Sequence, residues 1–292
     1  MSKQAIIEFR NVSKWYGEGE ARTHVLSDIN LKIFEGEFLA IVGFTGSGKT
    51  TLVNLMTGLL QPSEGEVLYR GAPIAGPGPE RGIIFQNYSL LPWYTVQQNV
   101  ALAVDEVYPG WSAAERTAHV RKFVDMVGLS HAIDKRPGEL SGGMRQRVSI
   151  ARVLATDPDL LLMDEPLGAL DALTRGNLQD EILQIWSANR RTAVLITNDV
   201  DEGIYMADRI IPLDPGPAAG LGPEFRIALG RPRDKTELNH DPHFKSVRTE
   251  LLNYLVALGE KGRPASVGAL ALPDIQPIKP GSRSFVSQWR RA

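Results

Sequence analysis

Gly43-Phe44-Thr45-Gly46-Ser47-Gly48-Lys49-Thr50 is a full match to G-x-x-x-x-G-K-[ST], with Thr51 following. Glycines let a backbone wrap closely around phosphate oxygens, where a Cβ would clash. The N–H groups of such a loop point inward, and the helix that follows adds a positive partial charge at its N-terminus. Lys49 is placed to neutralise β- and γ-phosphates, and the Thr50 hydroxyl to ligate Mg²⁺. A second set lies 115 residues beyond Lys49, where the apolar run Leu160–Met163 ends in Asp164 and Glu165. Asp164 at the strand end suits the same Mg²⁺, and Glu165 suits a general base that polarises an attacking water. A third set, Leu140-Ser141-Gly142-Gly143-Met144-Arg145-Gln146-Arg147, puts a serine and two glycines at a helix start, another anion-binding N-terminus. Two anion sites in one nucleotide-hydrolysing chain imply that the second serves a different copy of the nucleotide.

These loops need strands and helices to hold them. Ile6–Val12, Phe38–Gly43, Ile83–Phe85, Leu160–Met163 and Ala193–Thr197 are short apolar runs bounded by turn or charged residues, as buried strands are. Helical patterns follow at Gly48–Gly58, at Ser112–Gly128 and at Asp171–Ala188. The second opens with the capping-box spacing of Ser112 and Glu115. The third carries Leu173, Leu178, Ile182, Ile185 and Trp186 as an apolar face. Alternating strands and helices predict an α/β fold with a largely parallel core sheet. Beyond Leu213 the composition shifts. Residues 214–236 read as a linker, 237–260 as a short extension of one helix or two, and 261–292 as a basic, poorly ordered tail with four prolines and three glycines.

Composition narrows the classes. The 292 residues are 43% hydrophobic and 23% charged, ordinary values for a globular protein. The absence of cysteine removes disulfides, thiolate metal sites and cysteine nucleophiles together. With 32 basic and 34 acidic side chains the net charge is −2, which argues against a nucleic-acid-binding polycation. That value conceals a division, about −7 up to Glu260 and +5 beyond it. The first ten residues do not read as a signal peptide, and no run of about 18 apolar residues suits a membrane span.

With these motifs in this order, the chain resembles the nucleotide-binding subunit of an ATP-binding-cassette transporter over roughly residues 5–213. The resemblance implies a P-loop cassette with a RecA-like core sheet, an antiparallel β subdomain, an α-helical subdomain at about residues 87–158, and a C-terminal extension. It implies ATP and Mg²⁺, the ion held by Thr50, Gln86 and Asp164. It also implies head-to-tail pairing with a second cassette, alike or different, whose ATP meets Ser141, Gly142, Gly143 and Gln146. Tyr16, in Ser13-Lys14-Trp15-Tyr16-Gly17, resembles the aromatic that stacks on adenine, with Trp15 the competing candidate. Gln86 resembles the glutamine that senses Mg²⁺ and water, and Asp171 the loop that crosses the dimer interface. The aromatic and apolar stretch Asn87–Tyr94 resembles the region where a membrane permease docks, with Leu91 and Trp93 the first candidates for contact.

One motif departs from the family pattern: Thr197-Asn198-Asp199 stands where a histidine is usual. Asn198 keeps a donor of similar reach but cannot become cationic. A lost charge-assisted contact in the transition state removes about 1–3 kcal/mol, or about 5- to 150-fold in rate. The amide either substitutes for the imidazole or marks the weaker of two unequal ATP sites. Leu167–Arg175 resembles the nitrate/sulfonate/bicarbonate-type importer cassettes, and Asn198–Leu213 resembles their nitrate, nitrite, cyanate and bicarbonate branch, with taurine or sulfonate import and a non-transport regulatory ATPase as alternatives. The resemblance places the chain peripherally on the cytoplasmic face of the inner membrane, with permease subunits and, indirectly, a substrate-binding protein.

Overall fold

A computed structural model of the chain describes residues 4–261. Two sheets carry the fold. In the first, β1 (Ala5–Tyr16) pairs antiparallel with β2 (Thr23–Phe34) on one side and with β4 (Glu64–Tyr69) on the other, and β5 (Ala72–Pro73) adds to β4. Alternation is plain in β2, where Leu26, Ile29, Leu31 and Ile33 are buried and Lys32 is exposed. β1 continues to Tyr16, four residues beyond the apolar run that marks it in the sequence. Register shifts on either side of Val12 break the alternation there.

The second sheet runs β10-β9-β3-β8-β7-β6, from β3 (Phe38–Gly43), β6 (Arg81–Ile84), β7 (Leu160–Asp164), β8 (Thr192–Thr197), β9 (Arg209–Leu213) and β10 (Phe225–Arg226). All its pairs are parallel except β10 with β9. Both faces of its inner strands are covered, which explains why they read as unbroken apolar runs. Leu39, Ile41, Leu160, Leu162, Val194 and Ile196 point toward α1 (Lys49–Thr57) and the antiparallel sheet. Phe38, Ala40, Leu161, Met163, Ala193 and Leu195 point to the other side, toward α5 (Ala172–Asn189) and α6 (Val200–Met206). Parallel register sets Val42 beside Thr197 and Asp164 beside Ile196, so three loops leave the carboxyl end of the sheet together.

Helices α2 (Val96–Val107), α3 (Ala113–Met126) and α4 (Gly142–Leu154) form the helical layer between β6 and β7. Thr95 and Ser112 close full capping boxes with Gln98 and Glu115. Fully buried Asn99 holds the preceding loop: its Oδ1 accepts the Leu91 N–H at 2.8 Å, and its Nδ2 donates to the carbonyls of Leu91, Tyr94 and Thr95.

Residues 214–236 are not a free linker. The N–H groups of Ala218 and Ala219 donate to His24 O and Val25 O at 2.9 and 3.0 Å, and Ala219 O accepts from Ser27. Pro, Gly and Ala there signal a loop, but their small side chains also let the backbone lie along β2, and Ala219 is buried. The helical segment is two helices, a single turn at α7 (Lys235–Leu238) and a long α8 (Pro242–Lys261). Asp241 separates them, its Oδ1 accepting the N–H groups of His243 and Phe244. Phe244, Val247 and Leu251 bury one stripe of α8 in the helix-side core. The basic tail expected at 261–292 lies outside the described residues, apart from Lys261. Leu173 also departs from expectation: it is 83% exposed. At 100° per residue it lies about 140° around α5 from Leu178, off the packed face.

Because Leu251 is fully buried, Leu251→Ala is expected to cost about 2–5 kcal/mol. Denaturant unfolding of the full chain measures this; an unchanged midpoint would mean that α8 is not docked.

Candidate active site

The loop between β3 and α1 is built from its glycines. A Cβ on Gly43 would sit 2.8 Å from Leu213 O, and Gly48, the N-cap of α1, holds φ +96° against the side chains of Val25 and Leu26. Thr45, Gly46 and Thr50 are exposed along the loop and Thr51 is half-buried. Ser47 Oγ is buried with no hydrogen-bond partner among the described residues, the kind of group a bound oxyanion satisfies. Lys49 is only 5% exposed. Its ammonium donates to Gly43 O at 3.0 Å, Phe44 O at 2.8 Å and Asn198 Oδ1 at 2.7 Å, and lies 3.5 Å from Glu165 Oε1. Burial pushes the Lys49 pKa down, and the neighbouring Glu165 pushes it back up.

Asp164 ends β7. Burial raises its pKa, and the hydrogen bond from the Thr50 side chain opposes that rise. Glu165 follows at φ +46°, a left-handed conformation that costs a non-glycine residue about 1–3 kcal/mol. Its own N–H donates to Ile196 O at 2.9 Å, which pins it to β8. Asn198 Nδ2 donates to Glu165 Oε1 at 2.8 Å. The chemistry fixes the orientation of this amide: an ammonium only donates and a carboxylate only accepts, so the oxygen faces Lys49 and the nitrogen faces Glu165.

A cleft of about 530 Å³ opens here, with Gln86, Glu165, Gly168, Arg175, Asn198, Asp199 and Arg248 in its wall. Gln86 is exposed at the exit of β6, with its Nε2 3.8 Å from where a Cβ on Gly168 would lie. A larger cleft of about 880 Å³, between α5 and residues 231–235, contains none of these groups.

The other expected residues are dispersed around this centre. Ser141 caps α4 by accepting the Met144 N–H at 3.3 Å and is exposed, whereas Gly143 is buried so closely against Thr174 that a Cβ would lie 2.5 Å from its methyl. Gln146 does not belong with them. It is fully buried, and neither amide atom has a partner among the described residues. It lies more than a turn into α4, on the face packed inside the chain, so it cannot meet a nucleotide on another molecule. Asp171 caps α5 by accepting the Thr174 N–H at 3.0 Å and stands exposed. Tyr16 is exposed at the end of β1, while the ring of half-buried Trp15 is covered by Arg22 at 4.7 Å and His24 at 5.3 Å. Trp93 is 63% exposed; Leu91 is half-buried. Sequence reasoning missed Arg175 and Arg248 in the cleft wall. Arg175 falls in a quoted motif, but Arg248 is 50 residues past Asn198 with no motif around it.

A phosphate-binding loop, a strand-end acid pair and an amide bridging lysine and glutamate define a P-loop ATP-binding cassette. A family profile described as "ABC transporter" matches residues 26–168. The chain belongs to the ABC transporter family. It is 51% identical over 246 residues to the bicarbonate transport ATP-binding protein CmpC of Synechocystis, covering 84% of this chain and 37% of that one. It is 44% identical over 249 residues to the nitrate import ATP-binding protein NrtD of Synechococcus elongatus, covering 85% and 91%. This chain thus spans little more than a third of the CmpC length. A solved dimer of the cassette MJ0796, in a post-hydrolysis state with ADP and Pi, superposes with a TM-score of 0.69 at 32% identity, covering 77% of this chain and all of that one.

Asn198→Ala removes both ends of the bridge. ATP turnover is expected to fall about 10- to 100-fold, with ATP affinity changed less than about threefold. Steady-state hydrolysis beside a nucleotide titration checks this.

Proposed function

We propose that the chain is the ATP-hydrolysing subunit of an importer for a small inorganic anion of the nitrate or bicarbonate kind. The observation that carries the hydrolytic part is the Asn198 amide joining Lys49 to Glu165 at the mouth of the cleft. The names of the CmpC and NrtD relatives support the choice of cargo.

The loop 43–51 receives the phosphates on its N–H groups, and Lys49 neutralises the β- and γ-oxygens. Glu165, held by Asn198, orients the attacking water and takes its proton at a carboxylate oxygen. The residues present fit Mg²⁺: Thr50, Asp164 and Gln86 offer only oxygen donors, and a dication beside Asp164 offsets the burial that raises its pKa. When bound, the ion supplies charge neutralisation on the phosphate oxygens. Among the described residues no cluster of three or more His, Asp or Glu could hold a metal instead.

A second cassette, alike or different, completes the site by presenting its own Ser141–Gly143 segment to this ATP, with Asp171 and exposed Leu173 at the shared boundary. Tyr16 stacks on adenine. No helix among the described residues is long and apolar enough to cross a membrane. The reading therefore requires permease subunits, met by exposed Trp93 with Leu91 beside it, at the cytoplasmic face of the membrane. A substrate-binding protein acts indirectly, and no nucleic acid takes part.

Glu165→Gln is expected to leave ATP binding within about threefold while hydrolysis falls at least about 100-fold; undiminished turnover would refute the base. Trp93→Ala is expected to weaken permease-stimulated hydrolysis more than nucleotide affinity, and equal loss of both would point to misfolding. Co-purification of the full chain from detergent extracts tests the assembly, since the reading requires a hydrophobic permease among the recovered proteins.

A further inference from the structure

Helix α8 reaches both the catalytic cleft and the phosphate loop. Near its middle, Arg248 and Leu252 line the cleft beside Asn198 and Glu165. Near its end, a Cβ on Gly259 would lie 3.4 Å from the ring of Phe44 in the phosphate loop. Tyr254 donates to Asp214 Oδ1 at 3.1 Å and fastens the helix to the segment after β9. Phe244, Val247 and Leu251 seat it on the core. The helix is therefore a fixed support, and what it supports is shown by its one cleft-lining cation.

Arg248 grips Asp201 with two prongs, Nε to Oδ1 at 2.5 Å and Nη2 to Oδ2 at 3.2 Å. Asp201 lies in the first turn of α6. Its N–H donates to Asp199 Oδ1 at 2.9 Å, and the Glu202 N–H donates to the same oxygen at 3.1 Å. The Asp199 N–H in turn donates to Thr197 Oγ1 at 3.0 Å, and Arg175 stands 3.7 Å from Asp199 Oδ2. This chain of contacts encloses Asn198 on both sides in sequence. Asn198 is the residue whose amide must reach Lys49 and Glu165 at once.

We propose that Arg248 is a positioning residue for ATP hydrolysis: its two-pronged hold on Asp201 fixes the turn that carries Asn198. The proposal rests on the hydrolytic reading above. Arg248 touches no reacting group and acts through Asp201. A half-exposed ion pair contributes little to global stability. Its geometric effect is larger, because a displacement of about 1 Å in a catalytic group costs up to about 100-fold in rate.

Hydrolysis and backbone hydrogen exchange of the full chain test this together. Arg248→Ala is expected to lower kcat about 5- to 20-fold, with KM for ATP within about twofold and an unchanged melting temperature. Asp201→Asn is expected to lower kcat by the same factor, and the double variant by no more than either alone. Lys245→Ala, which removes an exposed cation one turn earlier on α8, is expected to leave kcat unchanged. Without nucleotide, Arg248→Ala is expected to speed exchange at amides 199–203 at least about tenfold, with the β3 amides unaffected. A kcat within about 1.5-fold of the parent, a rise in KM alone, or additive single variants would each overturn the proposal. So would unchanged exchange at 199–203, whether or not the chain turns over. A parent chain that binds ATP and never hydrolyses it would sink the hydrolytic reading instead.

Discussion

Lys49 is an ammonium buried among backbone carbonyls, and its charge has to be balanced where it lies. Burying a cation costs several kcal/mol unless its donors are all met. Three oxygens accept from it, two from the phosphate loop and the third from Asn198, with the Glu165 carboxylate 3.5 Å away. The loop, the acid pair and the turn after β8 are thus tied through one charged atom. A neutral amide serves well at this junction because it offers an acceptor and a donor in fixed directions. A neutral imidazole also offers one of each, but on ring nitrogens whose roles depend on the tautomer.

That junction dictates much of the architecture. β3, β7 and β8 must end side by side, which parallel pairing delivers. Parallel neighbours cannot be joined by tight turns, so each connection is long and carries helices or a whole subdomain. The helical layer α2–α4 is such an insertion between β6 and β7. It carries Ser141–Gly143 far along the chain from Lys49, with Ser141 exposed at the start of α4 and Gly143 packed against Thr174. The antiparallel sheet covers α1 from the far side and ends at Tyr16. The outer layers thus leave Tyr16, Ser141 and Trp93 exposed around a centre that the core sheet fixes.

Much of this was legible in the sequence, for physical reasons. The strands buried on both faces show as apolar runs, and the phosphate loop shows because its geometry admits few residue types. The capping boxes at Thr95 and Ser112 follow from local hydrogen bonding, and the second was read from spacing alone. Other features are tertiary and leave no local trace. The Pro- and Gly-rich segment after Leu213 looks like a linker, because pairing of its backbone with β2 depends on small side chains rather than on a pattern. Gln146 falls in a motif, yet the rotation of α4 turns it inward. Arg248 reaches the cleft only because α8 folds back over α6, which no spacing in the chain encodes.

The central claim is that Asn198 and Glu165 act as one unit with Lys49. A double-mutant cycle of Asn198→Ala and Glu165→Ala, read as unfolding free energy of the nucleotide-free chain, tests it without relying on activity. The account predicts a coupling of about 1 kcal/mol or more between the two side chains. Additive losses, with no coupling beyond the error of the measurement, would contradict it.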